Sequence, residues 1–138
     1  MVGDTDALRS LEAMSRFAQA RHGLLVNNLA NAGTPGFRPE DVDPAAFQAA
    51  LRSAQDEVRE GRSPELVLRD VDGIRFAGDQ VMLEPSPRGD NLLFHDRTDA
   101  DMERLLSDLA ANTMAFRAAN ELIRNRYAML AAAIRERP

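Results

Sequence analysis

Apolar positions recur at helical spacing near both ends of the chain and lose that period between them. Leu8, Leu11, Ala18, Leu25, Leu29 and Ala32 step by threes and fours, with Ser15 and His22 as polar interruptions. Met14, Phe17 and Leu24 widen the stripe. This is a heptad seam, suited to packing one helix on another. Asp4, Thr5 and Asp6 each suit an N-cap and the positive end of a helix dipole. The pattern therefore predicts a first helix from about Asp6 to Ala32, stopped by Gly33 in the left-handed conformation. Thr34-Pro35-Gly36-Phe37 follows as a type II turn, with Pro presetting φ and Gly permitting a positive value.

At the other end, Thr98 and Asp101 are spaced like a capping box. Beyond them the seam reads Met102, Leu106, Leu109, Thr113, Phe116, Asn120, Ile123, Tyr127, Leu130 and Ile134, alternating four and three without a slip. Arg135 and Arg137 suit the negative end of the dipole. Such a helix is roughly 55 Å long. It needs a partner along its length, either the first helix or another chain. The polar seam positions Thr113 and Asn120 have two readings: tolerated positions near solvent, or buried groups that fix register.

Between these helices the texture is broken. Six of the seven prolines and six of the eight glycines fall between positions 33 and 89, which separates helical ends from an irregular middle. Asp43-Pro44 reads as the N-cap and first residue of a short helix over about 44–60, with Phe47, Leu51, Ala54 and Val58 on one face and Gly61 ending it. Residues 65–84 alternate in part and carry a turn signal at Asp72-Gly73, which predicts a β-hairpin. Pro85 to Phe94 reads as a loop. The expected fold is mainly α: long N- and C-terminal helices packed antiparallel and coiled-coil-like, with a small mixed insert. The helical portion is 1–36 plus 97–138, and the insert is 37–96.

Charge follows the same division. Residues 1–36 carry three acids and three arginines; 37–101 carry fifteen acids and eight arginines; 102–138 carry four acids and six arginines. The net −5 of this 138-residue chain therefore resides in the middle. All 17 basic residues are Arg, and there is no Cys. Those zeros exclude disulfides, thiolate nucleophiles, Cys-based metal sites, Schiff bases and phosphate-binding loops that need Lys. His22 and His95 are far apart, and neither has a second His at ligand spacing. Asp70-Val71-Asp72-Gly73 and Asp99-Ala100-Asp101-Met102-Glu103 lack the glycine placement of a calcium loop and read as turn and cap acids. His95-Asp96-Arg97 stands without a nucleophile context, so no catalytic, cofactor or metal site is expected. The arginines form no basic patch, which argues against nucleic acid as a partner. No apolar run reaches the roughly 20 residues of a membrane span. The acidic MVGDTDALRS start does not read as a cleavable secretory signal.

One string is more specific. Asn27, Asn28 and Asn31 occupy the last turns of a helix, where Asn is a poor former. A plain stop signal accounts for Gly33 through Gly36 but not for them. Asn27-Asn28-Leu29-Ala30-Asn31-Ala32-Gly33-Thr34-Pro35-Gly36-Phe37-Arg38 resembles the N-terminal signature of bacterial flagellar rod and hook proteins. With Asp41-Val42-Asp43 and Phe47-Gln48-Ala49-Ala50-Leu51 it looks most like the proximal-rod members. Met102 to Ile134, with Leu109-Ala110-Ala111-Asn112 and Arg126-Tyr127-Ala128-Met129-Leu130, is similar to their terminal helix. The junction at Asp90-Asn91 departs from the family pattern, and residues 61–89 have no counterpart in it.

The resemblance implies a structural, non-enzymatic subunit of the flagellar basal-body rod. Such a subunit is exported by the flagellar type III apparatus without a cleaved signal and assembles helically in the periplasm to transmit torque. It implies as partners other copies, other rod proteins, and basal-body ring or export-gate components. The motif residues would be Asn27, Asn28, Asn31, Thr34, Pro35, Gly36 and Phe37. Helix packing and assembly would fall to Leu8, Leu11, Ala18, Leu25, Leu29, Leu106, Leu109, Phe116, Asn120, Ile123, Tyr127, Leu130 and Ile134. The alternatives are another axial subunit, or a cytoplasmic helical adaptor or export chaperone.

Overall fold

A computed structural model describes residues 2–88 and 98–135. The elements run α1 (Val2–Ala30), β1 (Glu40–Asp41), α2 (Pro44–Arg59), β2 (Ile74–Ala77), β3 (Gln80–Leu83), β4 (Ser86–Pro87) and α3 (Thr98–Arg135). The protein is mainly helical, with α1 and α3 packed on each other and a small strand-bearing insert between them in sequence. Side-chain bonds from α3 reach Ala18 from Asn112, Ser15 from Asn120 and Asp4 from Arg126. Partners descend α1 as α3 advances, so the pair is antiparallel.

Local chemistry explains most boundaries. α1 begins at Val2, four residues before the predicted start. At its other end the bonding tightens: Ala32 donates to Leu29 and Thr34 to Asn31, three residues back. Gly33 does not take a positive φ, which corrects the expected left-handed stop there. The left-handed residue is Gly36, at φ 76°, and Phe37 N donates to Thr34 O at 3.1 Å, closing the type II turn. On α2, the Asp43 carboxylate accepts from Ala45 N and Pro44 takes the first helical position, as predicted. Gly61, at φ 72°, ends α2 in a Schellman motif: its N–H goes to Val58 O and that of Arg62 to Glu57 O.

The hairpin is shorter than the predicted 65–84 and reverses elsewhere. β2 and β3 pair antiparallel from Ile74↔Leu83 to Ala77↔Gln80, so Gly78-Asp79 is the connecting turn. Asp72-Gly73 forms a separate turn closed by Val71 and Ile74, which bond each other in both directions. The predicted loop after Pro85 contains β4, whose Ser86 and Pro87 pair with Asp41 and Glu40 of β1. That short ladder ties the end of the insert to its beginning. His95, His95-Asp96-Arg97 and the Asp90-Asn91 junction lie outside the described residues.

The main core lies between α1 and the insert, not between the two long helices. Ala13, Phe17, Val42, Phe47, Leu51 and Ile74 form one buried cluster, with Leu66, Leu68, Phe76 and Leu83 packed around it. Phe17 and Phe47 stack with centroids 4.2 Å apart and rings 2° from parallel. α1 thus serves two neighbours. Ser10, Ala13, Phe17, Arg21 and Asn28 recur at helical spacing toward the insert, and Leu11, Ser15, Ala18 and Leu25 lie about a quarter-turn round, toward α3. The insert shares its core with α1 and is not an independent unit.

Candidate functional site

The asparagine string is explained first by backbone bonding. Asn28 is 1% exposed. Its amide donates to Glu40 O at 2.6 Å and accepts from Glu40 N at 3.2 Å. It therefore pairs with β1 as a neighbouring strand would, and holds the chain after the Thr34–Phe37 turn against α1. Asn31 donates to the carbonyl and side-chain oxygens of Asn27, bridging one helical turn on the surface. Thr34, Pro35 and Gly36 are exposed and Phe37 is half-buried. The motif residues thus make one structure, a helix end folded back on the first strand.

Behind it lies a buried ionic cluster. Asp41 receives Arg21 in two parallel bonds, Nε to Oδ1 at 2.9 Å and Nη2 to Oδ2 at 2.7 Å. Val42 N also donates to Asp41 Oδ1, and Arg88 Nη2 to Oδ2 at 2.6 Å. The same Arg88 nitrogen reaches Asp108 of α3. Four elements meet here: α1, β1, the residue after β4, and α3. Burial by itself would raise the Asp41 carboxyl, but bonds and charges from Arg21 and Arg88 outweigh it and hold the group below its ordinary value. Burial likewise opposes the charge on Arg88, and its bonds to Asp108 and Asp41 more than offset that. Two arginines against two aspartates are neutral overall. Both Asp41 oxygens face donors, and Arg88 bridges to Asp108, so the cluster acts as a clasp. Sequence reading missed it, because Arg21, Asp41, Arg88 and Asp108 share no spacing; the β1–β4 pairing brings them together.

The seam on α3 requires a correction of phase. Leu105, Asn112 and Ala119 are the buried positions, with Leu109, Phe116 and Ile123 half-buried between them. Leu109, Phe116, Asn120 and Ile123 are half-buried, and Asn120 reaches Ser15 of α1. Leu106 is about half exposed, because its neighbour Leu105 takes the α1-facing position; Tyr127 is also about half exposed, but its hydroxyl donates to Glu12 of α1 at 3.4 Å. Adjacent apolar residues, Leu105-Leu106 and Leu122-Ile123, let either phase satisfy the heptad. Leu130 and Ile134 continue the stripe, and Leu130 lines a groove with Asp4 and Leu8 near the start of α1. Ile134 is 75% exposed. On α1, Ala18 and Leu25 are buried, Leu8, Leu11 and Leu29 half-buried, and His22 is exposed.

Polar groups lock this pair. Asn112 donates to Ala18 O at 2.7 Å in a buried bond. Asn120 donates to Ser15 Oγ at 3.0 Å and to Phe116 O. Of the two readings for the polar seam positions, Asn120 takes the register-fixing one, while Thr113 bonds back to Leu109 O within its own helix.

The last turns of α3 are the most unusual surface. Over residues 127–135, Tyr127, Ala128, Met129, Leu130, Ala131, Ala132, Ala133 and Ile134 precede a single charge, Arg135, and every position is exposed. A helix that is apolar all round is ordinarily buried. Met114 and Leu122 extend exposed apolar surface along the outer side of α3.

Among the described residues no group of His, Cys, Asp or Glu could hold a metal ion, and no helix is long and apolar enough to cross a membrane. A groove of about 460 Å³ lies between Arg9, Glu12 and Arg16 of α1 and Leu66, Leu68 and Phe76, and ion pairs from Arg9 to Glu65 and Arg16 to Asp79 cross it. Comparison with known proteins finds no matching family model, no matching curated protein and no matching solved structure.

Proposed function

We propose that this chain is a structural subunit of a bacterial flagellar axial assembly, most like the proximal-rod protein FlgB, whose work is to pack against copies of itself and against other rod subunits. The observation that carries the reading is the helical end at residues 127–135. Eight apolar residues in nine, all exposed, form a surface suited to burial between neighbours. The resemblance of Asn27–Arg38 to the axial signature, and the pairing of the N- and C-terminal helices, support it independently. In this role the terminal helices provide the packing surfaces, and the clasp at Asp41 holds the insert to both helices so that load on one passes to the other. The subunit would reach the periplasm by type III export and need no cleaved leader.

The test is cellular. Deleting the gene should abolish swimming, and a tagged copy should restore it and co-purify with basal bodies. Phe116→Asp and Ile123→Asp should each prevent incorporation and motility. Normal swimming of the deletion strain, or a tagged protein found only in the cytoplasm, refutes the reading. The second outcome would favour the adaptor or export-chaperone alternative, which the exposed methionines Met82, Met114 and Met129 would suit as an adaptable binding surface.

A further inference from the structure

We propose that residues 66–69 are a strap poised to join β2 as a further strand, and that the Asp70 side chain holds the strap open by occupying the backbone donor it needs. This goes beyond the reading of the chain as a rod subunit and does not depend on it.

The hairpin expected from the Asp72-Gly73 turn is begun and then abandoned. Val71 and Ile74 exchange both backbone bonds, at 3.0 and 2.9 Å. That is the closing pair of a two-residue hairpin, from which a strand should run back along the free edge of β2. Glu84 N donates to Gly73 O on the β3 side, and the alternation of an antiparallel ladder then turns the backbone groups of Phe76 to the opposite edge, toward 66–69. There the Phe76 N–H goes to Asp70 Oδ1 at 2.9 Å and not to a backbone carbonyl. Among the described residues, positions 66–69 make no backbone–backbone hydrogen bond.

Register explains why the ladder stops. Paired residues share a face of the sheet, so a slip of one residue exchanges inside for outside. Leu66 and Leu68 pack against the core, while Val67 is 48% exposed and Arg69 points outward to Glu57. Continuing directly from Val71 and Ile74 sets Arg69 beside Phe76, which faces the core, and Leu68 beside exposed Ala77. That buries the arginine and exposes the leucine. One extra residue at Arg69-Asp70, a β-bulge, restores the phase: Leu68 meets Phe76 inside and Val67 meets Ala77 outside. In that register Phe76 N–H donates to Leu68 O, and Leu68 N–H to Phe76 O. Asp70 sits at the bulge and competes for the first of these bonds.

The space for closure is present. Leu66, Val67 and Leu68 form one lip of the 460 Å³ groove beside α1, and Phe76, Gly78 and Asp79 form the other. Each lip is tied to α1 and not to its opposite, through Glu65 to Arg9 and Asp79 to Arg16. These pairs are exposed and resist closure little. Open, the strap and β2 present facing edges to which an extended chain can add; closed, they satisfy each other.

The test is Asp70→Ala in the full-length chain, with Asp70→Asn as the variant that keeps an acceptor oxygen. Amide exchange followed by NMR should show Leu68 unprotected in wild type and in Asp70→Asn. In Asp70→Ala, Leu68 should gain protection severalfold while Phe76 keeps its own. Faster exchange at Phe76 with Leu68 unchanged would overturn the proposal, since Asp70 would then be a simple cap. Protection of Leu68 in wild type, or equally in Asp70→Asn, would overturn it as well. The chain has no cysteine, so the exposed pair Val67→Cys/Ala77→Cys reports closure by distance. Its disulfide should form severalfold faster with Asp70→Ala than with Asp70 in place, and equal rates refute closure. Loss of the folded state in Asp70→Ala also refutes it, because the strap is expected to take over the freed donor.

Discussion

Replacing Asp41 by Asn tests how the insert is joined to the helices. The substitution keeps the side chain's shape and removes its charge. Arg21 and Asp41 are 8% and 7% exposed in their side chains, so water cannot take over for the lost partner. Removing one member of a buried, hydrogen-bonded pair leaves the other charge uncompensated and costs about 3–5 kcal/mol. Arg88 retains Asp108, and the asparagine oxygen still accepts one bond, which places the expected loss near the low end, about 3 kcal/mol. For a domain of this size that lowers the melting temperature by roughly 10 °C. Urea unfolding of the two proteins at pH 7 measures it. The pH profile gives a second readout. Asp41 is held below its ordinary value in the folded protein, so its contribution is complete above the unfolded carboxyl value of about 3.9 and is lost as pH falls through the folded one. The gap between wild type and Asp41→Asn should therefore narrow only under acid conditions. A variant within about 0.5 kcal/mol of wild type at pH 7, the range of ordinary surface changes, would refute the clasp.

Phe47→Ala removes half of the stacked pair at the centre of the core and should cost about 3–5 kcal/mol in thermal or urea unfolding; a loss under 1 kcal/mol would mean the core lies elsewhere. Asn28→Ala leaves both half-buried backbone groups of Glu40 without their partner, for a loss of about 1–2 kcal/mol, and amide exchange at Glu40 should quicken. Gly36→Ala forces a side chain into a φ of 76° and should destabilise by roughly 1–2 kcal/mol, with no effect if the turn can adopt another type. Hydrogen exchange on the free chain should show strong protection at the buried α1 positions 10–28 and little over 127–135, where the helix has few packing contacts; equal protection would show the tip already covered.

The sequence by itself determined the elements that depend on neighbours in the chain. The two long helices, the Asp43-Pro44 start of α2, its stop at Gly61 and the Thr34–Phe37 turn are set by capping, proline geometry and glycine φ, all of which act within a few residues. It also marked Asn28 as unusual, because three asparagines oppose the propensity of the helix that holds them. Tertiary structure decided what those local rules leave open. The phase of the α3 seam was ambiguous because Leu105 and Leu106, or Leu122 and Ile123, satisfy a heptad equally; only contact with α1 selects Leu105, Asn112 and Ala119. The buried cluster under Phe17 and Phe47 was likewise left open, since α1 presents a second face whose partner is set by the folding-back of the insert. The clasp was invisible for the same reason: Arg21, Asp41, Arg88 and Asp108 have no common period, and a charge becomes informative only when burial raises the cost of leaving it unpaired.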